Sequence, residues 1–190
     1  MKPKLTTPAA VAALLAGMLA ATPALAADYT QAEGSTLVFA SRYDGELFTG
    51  RFQDFTTRLH FDPADPASGQ LEVMIALASA ATGNADRDST LRTADFFDIG
   101  RHAQARYSAS GFRRLADGQY AADGTLELRG VSKPVTLTFE WAEEGGKPVL
   151  TGRAVVQRLE FGVGGGDWAD TGVIPAAVNI STRVVFDPQP

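Results

Sequence analysis

A period of two runs through this chain and limits what it can fold into. Val135-Thr136-Leu137-Thr138-Phe139-Glu140-Trp141 alternates apolar and polar without an error. Leu71, Val73, Ile75 and Leu77 alternate with Glu72, Met74, Ala76 and Ala78. Val178, Ile180, Thr182, Val184 and Phe186 alternate with Asn179, Ser181, Arg183 and Val185, and Leu126 and Leu128 stand in the same pattern. Successive strand side chains leave opposite faces, so each run presents one apolar face and one polar face. Weaker strand signals lie at 36–42, 48–61, 106–113 and 149–161.

Turn residues punctuate these runs: Asp44-Gly45, Asp62-Pro63, Asp65-Pro66, Ser68-Gly69, Asp117-Gly118, Gly130 and Gly145-Gly146. Short strands with regular turns predict an all-β fold, and roughly eight strands suit a closed antiparallel barrel.

The N-terminus is not part of that pattern. Lys2 and Lys4 precede an apolar Ala- and Leu-rich run over 9–21, and Pro23 is followed by Ala24-Leu25-Ala26. This layout predicts an export signal peptide over 1–26, removed on export from the cytoplasm, and a single barrel domain over 27–190. A retained membrane anchor is the alternative, but the run is too short to span a bilayer. The chain has no Cys, so thiol chemistry and a disulfide framework are excluded. Losing the two leader lysines takes the formal charge from −5 to −7. An acidic domain without a basic stripe does not suit nucleic acid.

One segment has no period of two. Asn84-Ala85-Asp86-Arg87-Asp88-Ser89-Thr90-Leu91-Arg92 reads as a short helix capped by Asn84, with acidic residues in its first turn. Phe96 and Phe97 follow, and are expected to plug or cover one end of the barrel.

Several of these runs resemble the YceI-like family. They are Arg87-Asp88 with Leu91 and Asp95-Phe96-Phe97-Asp98; Gly124-Thr125-Leu126-Glu127-Leu128-Arg129-Gly130-Val131-Ser132-Lys133-Pro134-Val135; Thr49-Gly50-Arg51-Phe52; and Arg158-Leu159-Glu160-Phe161-Gly162. They occur in the family's order across nearly the whole mature chain. The resemblance implies an eight-stranded lipocalin-like barrel in the periplasm that holds a long isoprenoid or polyprenyl quinone. Gly165-Gly166-Asp167-Trp168-Ala169-Asp170 resembles the variant fused to or paired with a di-haem cytochrome b membrane protein, which implies a membrane cytochrome as partner. Gly34-Ser35 stand where many relatives carry a His-Ser pair.

The candidate cavity residues are the inward-facing set Phe39, Phe52, Ile75, Leu77, Tyr107, Leu126, Leu128, Val135, Leu137, Phe139 and Trp141, with Val184 beside them. Alternation alone leaves open whether such side chains fill the barrel or line a hollow. The resemblance implies the hollow. Phe96, Phe97 and Trp168 are the candidate portal, with the Gly162–Gly166 run read as a flexible loop. Asp86, Arg87, Asp88 and Asp95 read as a salt-bridged helix over the mouth rather than a carboxylate metal site, because the calcium-loop pattern is incomplete. His60 and His102 are the only histidines and lack ligand spacing, so no metal or haem is expected. No nucleophile elbow or dinucleotide fingerprint is present, and no catalytic residue or cofactor is expected. A lipid carrier is therefore the leading reading. A filled-barrel interaction module is second, and an enzyme on an isoprenoid substrate is third.

Overall fold

The structure, a computed structural model, describes residues 27–189. The expected signal peptide lies outside the described residues. The strands are β1 (Ala27–Gln31), β2 (Thr36–Tyr43), β3 (Glu46–Phe52), β4 (Phe55–Phe61), β5 (Gln70–Ala76), β6 (Ala80–Ala81), β7 (Gln104–Ser110), β8 (Arg113–Arg114), β9 (Tyr120–Leu128), β10 (Val131–Glu144), β11 (Lys147–Gln157) and β12 (Ala177–Pro188). Helix α1 (Ala85–Arg92) is inserted between β6 and β7.

These segments build eight barrel strands. β1 and β2 are two parts of the first, because β1 pairs with β4 while β2 pairs with β3. β3 and β4 form the second, and β5 and β6 the third, since β4 pairs with β5 and β3 with β6. β7 and β8 both pair with β9 and form the fourth. β9, β10, β11 and β12 complete a meander. Closure comes at β12. Its residues Asn179–Arg183 pair with β2, and Phe186–Pro188 pair with β1. Every ladder is antiparallel, so no sheet edge is left along this circuit.

The turns explain the short connections. Asp44 and Gly45 join β2 to β3, with φ 48° and 80°. Arg129 and Gly130 join β9 to β10 with φ 53° and 72°, and Gly145 and Gly146 join β10 to β11 with φ 59° and 79°. Two consecutive left-handed residues are the hairpin geometry whose twist matches the flanking strands. The break in the first barrel strand is also bridged. Ser35 Oγ donates to the Ala32 carbonyl at 2.8 Å and accepts from Val185 N–H at 3.0 Å, so one hydroxyl replaces a missing ladder step.

The structure differs from the expectation at several places. The expected 149–161 strand ends at Gln157, with Arg158–Phe161 in a 3-10 turn. Leu77 starts a 3-10 turn just past β5. Two further differences concern the pairing. β1 carries no readable alternation, yet it closes the barrel. The 48–61 run is not one strand. It breaks at Gln53-Asp54, where Gln53 N–H donates to Ser79 O and Ala76 N–H to Asp54 O.

Candidate functional site

The interior has three levels. At one end lies an aromatic plug. Phe61, fully buried, has ring centroids of Tyr120, Trp141, Phe112 and Phe139 at 5.0, 5.3, 5.7 and 5.8 Å. Tyr29 and Phe186 join through Trp141, at 5.1 and 5.8 Å. Aromatic rings reach far enough across an eight-stranded barrel to fill it.

Above the plug most inward positions are Leu, Val, Ile and Ala, with a few rings set back against the wall. The shorter side chains leave a cavity of about 200 Å³. Phe39, Phe52, Ile75, Leu77, Tyr107, Leu126, Leu128, Val135, Leu137 and Val184 all lie on its wall. Phe139 and Trp141, expected there too, face inward but belong to the plug. They stand two and four residues past Leu137 along β10, on the far side of the cavity floor. Gly50 shapes the wall from the side. A Cβ there would run into the Phe39 ring, so glycine lets that ring lie flat against β3.

The polar groups on the wall are mostly engaged. Tyr107 sends its hydroxyl across to the Ala122 carbonyl at 2.8 Å and lies 3.1 Å from the Val135 carbonyl. Burial is the main reason its pKa is pushed up to about 12, so it stays protonated. Thr182 Oγ1 donates to Thr36 O at 2.9 Å. Ser41 Oγ and Thr57 Oγ1 are buried without partners.

The third level is a lid. In α1, Asn84 caps the helix by accepting from Arg87 N–H at 2.9 Å. Asp88 accepts from both Thr82 N–H and Thr82 Oγ1, at 2.7 and 2.6 Å, tying the helix to the end of β6. Arg87 lies over the Phe48 ring, 4.3 Å from its centroid. The expected salt-bridged cluster is therefore a cap, a side-chain tether and a cation–π contact. Among the described residues no ion pair joins Arg87, and no group of three His, Asp or Glu side chains is placed to share a metal.

Leu91, Phe96 and Phe97 face the cavity from this lid. Phe97 packs 5.9 Å from Phe52. Trp168 does not reach the cavity wall. It stands behind Phe96, edge-on at 5.4 Å.

The loop carrying Trp168 is held by a residue that sequence reasoning placed only inside a motif. Arg158 is buried, 3% exposed, and spends all five N–H groups on backbone carbonyls. Nε donates to Pro175 O at 3.1 Å, Nη1 to Val163 O at 3.0 Å and to Gly164 O, and Nη2 to Trp168 O and Ile174 O, both at 2.8 Å. Desolvation lowers its pKa, but five carbonyl dipoles stand in for water around the guanidinium. The Gly162–Gly166 run is thus not a flexible tether. Gly162 and Gly164 adopt φ of 68° and 65°, and a Cβ on Gly164 would collide with Arg158. The glycines let the loop wrap the guanidinium.

The two lid pieces are joined. Gly164 N–H donates to Asp95 O at 2.7 Å. Arg129, in the β9–β10 turn, donates to Gly162 O through Nη1 and to Ala94 O through Nη2 at 2.8 Å. Closing the mouth therefore requires the β9–β10 turn as well as the lid.

Comparison with known proteins places this architecture among others. The family model of the YceI-like domain matches residues 29–186. A UPF0312 protein of Pseudomonas fluorescens is 31% identical over 94% of both chains. A UPF0312 protein of Serratia proteamaculans is 36% identical over 69% of this chain and 70% of its own. Among solved structures, Burkholderia cenocepacia BcnA superposes with a TM-score of 0.76 at 27% identity, covering 80% of this chain and 95% of its own. A polyisoprenoid binding domain from Saccharophagus degradans, implicated in plant cell wall breakdown, shares the fold with a TM-score of 0.66 at 16% identity, covering 86% and 99%.

Proposed function

The chain belongs to the YceI-like domain family, and from that premise we propose that it is a periplasmic carrier holding a long isoprenoid or polyprenyl quinone chain in its barrel. The observation that carries this reading is the roughly 200 Å³ cavity, walled almost wholly by apolar side chains and bounded by a plug and a lid. An apolar cavity lined by Leu, Ile and Phe stays dry even at about 150 Å³ and accepts an apolar guest. Transfer of each buried CH₂ from water contributes about 0.8 kcal/mol, so a few isoprene units suffice without a strong polar contact. The structural likeness to a polyisoprenoid binding domain points the same way.

The wall also explains why binding is favoured over catalysis. Tyr107 is held protonated and Arg158 has no free N–H. Neither is poised as a base or an acid toward a guest. Organic extraction and mass spectrometry of the protein from its native periplasm test the proposal. A stoichiometric long-chain isoprenoid is expected, and its loss in Leu137→Arg, where an unpaired charge enters the cavity wall. A protein that carries no lipid, and takes none up from isoprenoid vesicles, overturns the reading.

A further inference from the structure

Thr57 is out of place on its wall. It lies on β4 among Leu71, Val73, Leu137 and Val184, is 3% exposed, and its Oγ1 has no hydrogen-bond partner. Valine has nearly the same shape and would leave no stranded hydroxyl. A buried hydroxyl without a partner is unfavourable in the empty protein. Its level in the barrel is the floor. The next inward residue on β4 is Leu59, and the one after it is Phe61 at the centre of the plug.

A second stranded atom lies on the neighbouring strand, off the cavity wall. Gln31 is one step beyond the Thr30–Arg58 pair in the β1–β4 ladder, which sets it across from Thr57. Its Nε2 donates to Phe55 O at 2.9 Å, while its Oε1 is buried without a partner. Elsewhere on the wall, Tyr107, Thr182 and Arg158 are engaged with backbone carbonyls. Ser41 Oγ is also unpartnered, but at the opposite level: the next inward residue is Tyr43, which is exposed.

We propose that the cavity floor at Thr57 is an end-site for a hydrogen-bonding oxygen, so that the chain this barrel holds enters with an oxygen, such as that of an alcohol, at its buried tip. The proposal rests on the carrier reading above. The floor offers one hydroxyl on the cavity wall, which can donate or accept. A guest oxygen at the tip of the chain accepts from Thr57 and satisfies it, and a terminal methyl does not. The floor thereby sets the direction of the chain and discriminates an alcohol from a hydrocarbon of equal length, because a site built to bond a hydroxyl is penalised when the guest lacks one.

Calorimetric titration of the delipidated mature chain with octanol and octane tests this. The readout is the ratio of the two affinities, compared between wild type and Thr57→Val. Thr57→Val should weaken octanol about tenfold, the scale of one buried hydrogen bond, and leave octane within about twofold. Thr57→Ser should restore octanol, and Ser41→Ala should leave the ratio unchanged. If wild type binds octane but Thr57→Val shifts both guests alike, the carrier reading stands and the end-site fails, with a trapped water at the floor as the remaining occupant. If Ser41→Ala rather than Thr57→Val changes the ratio, the polar end sits at the rim and the proposal is wrong. If neither guest binds wild type, the end-site and the carrier reading fall together.

Discussion

The two ends of the barrel come from the same eight strands and do opposite things. At the plug, seven aromatic residues, Tyr29, Phe61, Phe112, Tyr120, Phe139, Trp141 and Phe186, pack ring against ring across the barrel axis, most pairs edge-on or tilted and Tyr120–Phe139 stacked. At the mouth, aliphatic side chains and Ala105 and Ala154 stop short of the axis, and a lid replaces the missing filling. The plug is held by side-chain packing. The lid is held mainly by hydrogen bonds to backbone carbonyls, gathered by Arg158 and Arg129. Packing of apolar rings forms one compact arrangement and resists opening. Carbonyl bonds around a guanidinium can be exchanged with water one at a time, which suits the part that the proposed carrier would open to a guest. The two ends are thus held by different kinds of interaction.

The largest expected effect tests the plug against the hollow. Phe139→Ala should cost about 3–5 kcal/mol, whereas Leu126→Ala on the cavity wall should cost less than about 2 kcal/mol. A side chain facing a void loses partners on one side only. Urea unfolding of the two variants checks this, and equal costs would mean that the two levels are packed alike.

Arg158→Met should be next, at about 3 kcal/mol, because five carbonyls lose a charged donor. Its effect should be local. Limited proteolysis should cut between 158 and 176 well before the barrel unfolds. Arg158→Lys should recover little, since an ammonium cannot bond five carbonyls in a planar fork. Global unfolding without early cleavage would make Arg158 part of the barrel core instead.

Tyr107 sharpens the comparison by pH. Its folded pKa of about 12 lies above the ordinary 10.0, so the folded state holds the proton more tightly. The associated stability is present below pH 10 and is lost as pH rises toward 12. At 1.36 kcal/mol per pKa unit the loss is at most about 2.7 kcal/mol. Tyr107→Phe should flatten that decline relative to wild type and cost about 1 kcal/mol at neutral pH. An unchanged alkaline slope would show that the hydroxyl does not remain protonated inside the wall.

Trp168→Ala should cost no more than about 1.5 kcal/mol, the scale of one edge-on aromatic pair, while speeding guest release several-fold in a stopped-flow displacement assay. Thermal loss without faster release would make Trp168 a packing residue of the loop. Thr138→Arg is the smallest change, within about 0.5 kcal/mol by thermal melt, since Thr138 points out of the barrel between Leu137 and Phe139. A large loss there would shift the register of β10 by one residue.

Much of the wall was legible because alternation is a local property. Leu126, Leu128, Val135 and Leu137 point inward in any sheet that buries one face of their strands. The helix at 85–92 was legible from its cap. Arg158 was not. Its sequence signal is only an Arg before Phe161-Gly162, and its role depends on carbonyls brought to it by the fold from 163 to 175. Thr57 was hidden because Thr is an ordinary strand residue, and a missing partner is visible only when the surroundings are.

By itself the sequence determined which faces are apolar, where the two-residue hairpins turn and how many strands the meander contains, because period and turn chemistry act over a few residues. Only the tertiary structure decided at which level each inward side chain lies. Leu137 and Phe139 share a face of one strand, yet one borders the hollow and the other fills the plug. That assignment depends on the stagger between strands and on the closing pairs of β1 with β4 and β12, which join distant parts of the chain.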